Sequence, residues 1–530
     1  MKRLCRVSLV IGGAAAVLMS SVLPPVLPAA ADEPIYGEGS TWSFPAIQQW
    51  EADMANQGET INYNSVGSTA GRVAFYNAQA DFAVSEIPFQ PSYCTPTAPP
   101  VCDNEQQLVQ NSGRTYLYMP IVAGGTSIGY NLQINGEPFR NLRLNSAALA
   151  GIFTGVITYW DNPAIEALNP GVTFPHIPVH PVGRSDGSGT SYQFSAYLAT
   201  MQPAITHAYC ARLGLVPNCL PTSQWPNAPG MTLQNGSDGV ANYVTATYNN
   251  GAIGYAEYAY WTERNAPVVS VENAAGQFQQ PTAVNVAVAL TRAVIDGTPG
   301  PLYHTQILSG VYVNPDPRTY PISSYSYMIV PTNDVAPMDT GKGATLSKFI
   351  LYFLCQGQQE AQPLGYSPLP PNLVQLGYDV NNAIPGGTKV GLATPADCNN
   401  PTFHGFLQQN GIGTEPGVPG VVVIGIGTDG TQGKSGAGTA SRSATSGNAG
   451  AGKSKTGAGT GSGANNTGDG SNNAGRGRQS TGPQAAAKNI NYKDPFSPSV
   501  GWWSVFVLIL LALGFVIAPF LGTRGRPSSG

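Results

Sequence analysis

A chain of 530 residues with 64 glycines, 45 prolines and only 10% charged residues is not an ordinary cytosolic enzyme, because soluble domains are about a quarter charged. Its 42% hydrophobic and 9% aromatic content can still bury a core, which excludes disorder throughout. The net charge of −4 divides unevenly: residues 32–424 hold 26 acidic and 12 basic side chains, which excludes a broad nucleic-acid footprint there.

In chain order, residues 1–31 join a basic head (Lys2, Arg3, Arg6) to a short apolar run and end in Ala29-Ala30-Ala31. That pattern predicts a secretory signal peptide, with prolines 24, 25 and 28 breaking the run before it could span a bilayer. From 32 to 424 the pattern alternates. Strands are expected at 61–63, 81–84, 121–123 and 128–132, and helices at 45–50, 146–153, 191–200 and 344–356. Such alternation argues for an α/β fold, and nearly 400 residues exceed one core, so two lobes are expected. Residues 425–500 are Gly/Ser/Thr/Ala/Asn-rich with eight basic groups and no apolar periodicity, which predicts a disordered tether. For roughly 75 residues its r.m.s. reach is about 45–50 Å. Residues 502–521 form an almost wholly apolar run of 20, long enough to cross a bilayer. Arg524 and Arg526 follow it, placing the tail 522–530 in the cytoplasm by the positive-inside rule.

The cysteines agree with export. Cys5 would leave with the signal, and the six that remain are Cys94, Cys102, Cys210, Cys219, Cys355 and Cys398. Their spacings lack the two-residue intervals of zinc sites, so three disulfides in an oxidising compartment are expected, Cys94–Cys102, Cys210–Cys219 and Cys355–Cys398.

Three loops carry the chemistry: 37–45 (GEGSTWSFP), 65–71 (SVGSTAG) and 184–191 (RSDGSGTS). Each combines glycines for close backbone approach, hydroxyl donors and the start of a helical run. Free N–H groups at a helix N-terminus hold an oxyanion without bulk positive charge. A single loop of this kind is better explained by helix capping. Three of them, one with an arginine in a segment of only 12 basic residues, point to an anion site.

At these residues the chain resembles the PstS family, the phosphate-binding proteins of bacterial phosphate ABC importers. The matching stretches are GEGSTWSFPAIQQW (37–50), INYNSVGSTAGR (61–72), ADFAVSEIPF (80–89), FTGVITYWDNPAIEALNPG (153–171), RSDGSGTSYQF (184–194), GSDGVANYV (236–244), GAIGYAEYAY (251–260) and YPISSYSYMIVP (320–331). The resemblance implies the type II periplasmic-binding-protein fold, two α/β lobes joined by crossover hinge segments near 123–126 and 322–326. Lobe one would be 32–123 with 322–424, and lobe two 124–321. It implies phosphate contacts from Thr41, the N–H of Trp42, Ser68, Arg184, Ser188, the N–H of Gly189 and Thr190, with Asp186 holding the fork of Arg184. Where the family commonly has an Asp that accepts the ligand's proton, this sequence has Glu86. A carboxylate facing an anion favours a ligand that brings a hydrogen, and so phosphate over sulfate.

Other motifs carry less. Residues 125–129 fit G-x-S-x-G, but an alternating, strand-like run follows where a nucleophile elbow needs a helix. His176 and His180 are four apart, but Pro175 and Pro178 preclude the helix that would aim both at a metal. The tripeptide 433–435 ends like a P-loop without its first glycine, and Asn235-Gly236-Ser237 matches a glycosylation sequon. The reading is therefore a monomeric, membrane-tethered, extracytoplasmic binding protein that captures inorganic phosphate, delivers it to ABC permease subunits and catalyses nothing. No cofactor, metal or nucleic acid enters it. Two alternatives stay open: recognition of another oxyanion (sulfate, molybdate or a phosphonate), or a surface interaction or signalling role on the same fold.

Overall fold

The computed structural model describes residues 33–412 except 92, 95–101, 216–218 and 227–229. The expected signal peptide, tether, membrane span and tail lie outside the described residues. Among the described residues no helix is long and apolar enough to cross a membrane.

Eight strands make one mixed sheet: β1 Ile35–Gly39, β2 Ile61–Asn64, β3 Phe82–Ser85, β4 Tyr116–Tyr130, β5 His180–Arg184, β6 Thr232–Gln234, β7 Ala252–Glu257 and β8 Ser323–Pro331. Their order is β6-β5-β7-β4-β8-β3-β1-β2. One end is a parallel set, β1 with β2 and β3; the other end is a second parallel set, β5 with β6 and β7. The antiparallel strands β4 and β8 run between the two sets. The principal helices are α1 Phe44–Ala55, α2 Ser68–Tyr76, α3 Glu105–Asn111, α4 Ser146–Phe153, α5 Gly189–Met201, α6 Gly236–Thr245, α7 Tyr258–Glu263 and α8 Thr340–Leu354, and α1, α2, α5, α6 and α7 each follow a strand of a parallel set. Apolar faces decide their seating. Trp50 of α1 stacks on Phe353 of α8 at 4.9 Å while its indole N–H donates to Gly357 O at 2.9 Å.

The strand β4 corrects one expectation. Instead of separate strands at 121–123 and 128–132, one strand of 15 residues runs through both. The Gly124-Gly125 pair reads locally as a breaker, but its backbone is laddered to Ser324 and Ser323 of β8. A side chain at Gly124 would stand 2.6 Å from the Trp42 indole, so close packing rather than a turn explains that glycine. Partner exchange occurs at the next residue: Gly125 faces β8, whereas Thr126 faces Glu257 of β7. The G-x-S-x-G run thus lies inside a strand, and the exposed His176 ring meets Asp161 Oδ2 at 2.8 Å rather than His180.

Disulfides form between Cys210 and Cys219 and between Cys355 and Cys398, as expected. The backbones of Cys94 and Cys102 face each other in a two-residue ladder; their side chains lie outside the described residues.

The second anion loop is pinned from behind. Arg72 of α2 is fully buried and grips Glu105 at the start of α3 with both forks, Nε to Oε2 at 2.9 Å and Nη2 to Oε1 at 3.2 Å. Glu105 Oε2 also accepts from Gln90 N–H at 2.7 Å, and Arg72 Nη1 donates to Ser85 Oγ at 3.1 Å. Removing one partner of such a pair strands a buried charge. Glu105→Ala should therefore lower stability by about 3–5 kcal/mol, read as a shift in the urea midpoint at constant slope.

Candidate functional site

Four strand-to-helix junctions converge where the carboxyl ends of the two parallel sets meet, the usual place for ligands in open α/β sheets. They are β1 to α1, β2 to α2, β5 to α5 and β6 to α6. The first three are the loops singled out from sequence. The fourth, at Gly236 and Ser237, was not assigned a role, although its stretch 236–244 is one of those that carry the resemblance.

Glu86 lies just past β3 and is 1% exposed. Its Oε1 accepts from the hydroxyls of Ser40 and, at 2.9 Å, Ser326; its Oε2 accepts from Ser68 Oγ at 2.7 Å. Ser68 Oγ in turn accepts from Gly189 N–H at 3.1 Å, linking the second loop to the third. A Cβ at Gly189 would stand 2.1 Å from Glu86 Oε2, so only glycine allows this approach. The carboxylate is thus ringed by hydroxyls from the first loop, the second loop and the crossover strand β8.

Arg184 ends β5 and is 1% exposed. Its Nε donates to Asp186 Oδ1 at 2.7 Å, its Nη2 donates to Asp186 Oδ2, and its Nη1 reaches Ser237 Oγ at 3.1 Å. Burial opposes the guanidinium charge, but the Asp186 carboxylate outweighs it and holds the pKa above the ordinary arginine value. Asp186 Oδ1 also takes Gly236 N–H at 2.9 Å, tying the third loop to α6. Thr41 Oγ1 lies 3.0 Å from Ser237 Oγ and accepts from Ser237 N–H at 3.2 Å. Beside Thr41 a cavity of about 450 Å³ opens among Phe44, Gln48, Asn235, Tyr260 and Glu263.

All eight residues expected to contact ligand are buried, and two linked groups emerge. Ser68, Glu86 and Gly189 form one; Thr41 and Arg184, with Asp186, form the other. The Trp42 N–H donates to Ser40 Oγ at 3.0 Å. The Ser188 hydroxyl accepts from Ser191 N–H at 3.2 Å as the cap of α5, and Thr190 is buried in the first turn. Sequence reasoning missed Ser40, Ser237, Ser326 and Tyr260 as participants. All four lie in stretches that carried the resemblance, but nothing in their local pattern separates them from capping or core residues.

Glu257, the last residue of β7, lies at the partner exchange of β4 and is fully buried. It accepts from Ala259 N–H at 2.5 Å and so caps α7. Burial raises its pKa well above the ordinary carboxylate range, against the Ala259 N–H, which favours the charge.

The fold and site define a solute-binding protein. A family model described as a PBP superfamily domain matches residues 26–356, and the chain belongs to that superfamily. Within it the chain belongs to the PstS family of phosphate-binding proteins. The phosphate-binding protein PstS of Xylella fastidiosa is 33% identical over 359 residues, spanning 67% of this chain and 87% of that protein. PstS of Methanocaldococcus jannaschii is 27% identical over 355 residues, spanning 65% and 85%. A solved structure titled as a high-affinity periplasmic phosphate-binding protein bound with phosphate shares the fold at a TM-score of 0.50. That structure is 18% identical, and the match covers 68% of this chain and all of that one.

The raised pKa of Glu257 has a definite sign. An unfolded carboxyl loses its proton near its ordinary value of about 4.5, whereas the folded one keeps it, so stability falls as pH rises from there through the folded pKa. Glu257→Gln removes this loss. Urea unfolding of both proteins should show the Gln variant gaining on the parent as the pH is raised above about 5.

Proposed function

We propose that this protein captures inorganic phosphate between its lobes on the extracytoplasmic side and delivers it to the permease of an ABC importer. Phosphate capture and delivery are the business of the family to which the chain belongs. The observation that carries the reading for this chain is Glu86. An ionised carboxylate has about four acceptor directions, and the hydroxyls of Ser40, Ser68 and Ser326 use three. The fourth, with the one that Ser68 vacates as the anion arrives, suits a ligand that brings its own proton, as phosphate does near neutral pH and sulfate does not.

In this reading lobe one is 32–123 with 322–424, and lobe two is 124–321; the continuity of β4 and β8 between the two parallel sets supports that division. Phosphate oxygens take the Thr41 and Ser68 hydroxyls, the N–H groups of Trp42 and Gly189, the free guanidinium donors of Arg184, and Ser188 and Thr190. Ligand arrival exchanges the present bonds of Ser68, Trp42 and Gly189 for bonds to oxyanion oxygens. Asp186 orients Arg184 and lowers the net charge of the pair, so selectivity comes from directed donors rather than bulk charge. The protein acts as a monomer without covalent chemistry. The span 502–521 holds it in the membrane, the tether 425–500 lets the lobes reach a permease, and the C-terminus is cytoplasmic.

Two variants of the full chain test this by calorimetric titration at fixed pH and salt. Arg184→Ala should weaken phosphate binding roughly 10- to 150-fold through lost charge-assisted bonds, with Lys recovering only part because it lacks the fork. Glu86→Gln keeps the size but offers a donor, so sulfate should gain affinity and phosphate should lose some. Unchanged phosphate-over-sulfate discrimination in the Gln variant would remove Glu86 from the contacts.

A further inference from the structure

Thr41 belongs to the first loop, yet its polar atoms are held from the opposite end of the sheet. Ser237, at the start of α6, meets the Thr41 hydroxyl twice, with its N–H at 3.2 Å and its Oγ at 3.0 Å. Tyr260 of α7 donates its hydroxyl to the Thr41 carbonyl oxygen. Behind Ser237 stands Arg184, whose Nη1 donates to Ser237 Oγ at 3.1 Å. Every member is buried: Thr41 is 6% exposed, Tyr260 4%, Arg184 1% and Ser237 0%.

The direction of these bonds follows from the groups. A guanidinium only donates, so Ser237 Oγ accepts from Arg184, and the positive charge behind it biases the serine proton outward to Thr41 Oγ1. Thr41 Oγ1 then accepts from both the N–H and the O–H of Ser237. Its two lone pairs are filled, and its own proton is left to donate. The grip of Tyr260 acts on the second donor of the same loop. The Thr41 carbonyl and the Trp42 N–H belong to one planar trans peptide and point in opposite directions. Fixing the carbonyl therefore fixes the direction of the Trp42 N–H.

We infer that Ser237 and Tyr260 are positioning residues for the anion: from lobe two they set the Thr41 hydroxyl as an outward donor and fix the direction of the Trp42 N–H, which donates to Ser40 Oγ at 3.0 Å until the anion takes it, so the first loop is completed only when the lobes meet. This rests on the phosphate reading of the cleft. Neither side chain need touch the anion. Because encounter precedes closure and the two grips exist only after it, their loss speeds ligand escape and leaves capture alone.

The test uses the full chain with inorganic phosphate as the probe, affinity by calorimetry, and rates by stopped-flow tryptophan fluorescence. Ser237→Ala and Tyr260→Phe should each weaken binding roughly 5- to 30-fold. The change should lie in the dissociation rate, with association within about twofold. Ser237→Thr, which keeps the hydroxyl, should recover most of the affinity. Unchanged affinity in both variants overturns the inference. So does a Thr variant as weak as the Ala variant, which would mean packing, or a change confined to the association rate. Arg184→Ala separates the two levels. If it binds phosphate like the parent, the phosphate reading of the cleft fails; if it binds weakly while Ser237→Ala and Tyr260→Phe bind normally, only the positioning role falls.

Discussion

The buried pair of Arg184 and Asp186 is the constraint around which the cleft is arranged. A guanidinium at 1% exposure is costly without a partner, and Asp186 supplies two parallel acceptors two residues away. The same carboxylate takes the N–H of Gly236, and the third guanidinium nitrogen donates to the hydroxyl oxygen of Ser237. One ion pair therefore sets the relative position of β5, the third loop and α6. Through Ser237 it extends to the first loop on the far side of the cleft. Glu86, the other buried ionisable group of the site, faces hydroxyls rather than a cation, which keeps the two charges in separate roles.

The sheet explains how these loops come to face one another. Two parallel sets present the carboxyl ends of their strands to one place, and β4 and β8 connect them through a ladder whose register shifts once, between Ser326 and Tyr327. The change of partner at Gly125 and Thr126 is a single-residue event in a buried strand, with aromatic rings closing on the glycines. The contacts between Ser68 and Gly189 and between Thr41 and Ser237 both join one parallel set to the other.

Much of this was legible in the chain. The 146–153 helix has the same limits in the structure, the helices at 45–50 and 191–200 fall inside longer ones, and the two described disulfides join the cysteines expected. The three anion loops were visible because glycine, hydroxyl and helix start are local signals. The continuity of β4 was not, because a Gly-Gly pair weakens a strand locally and only its neighbours in the sheet restore it. Ser40, Ser237, Ser326 and Tyr260 were not, because a serine or tyrosine reads the same whether it caps a helix, fills a core or completes a site.

The sequence by itself determined the family, the compartment expected of the chain, the alternation of strands and helices, and the residues able to hold an oxyanion. Those follow from composition, periodicity and motif, which act over a few residues at a time. Which hydroxyls surround Glu86, how Arg184 spends its donors and where β4 changes partner were decided only by the tertiary structure. Each depends on groups brought together from distant parts of the chain, Ser40 with Ser326 and Thr41 with Tyr260, and on the exclusion of water that makes every unpaired polar group there costly.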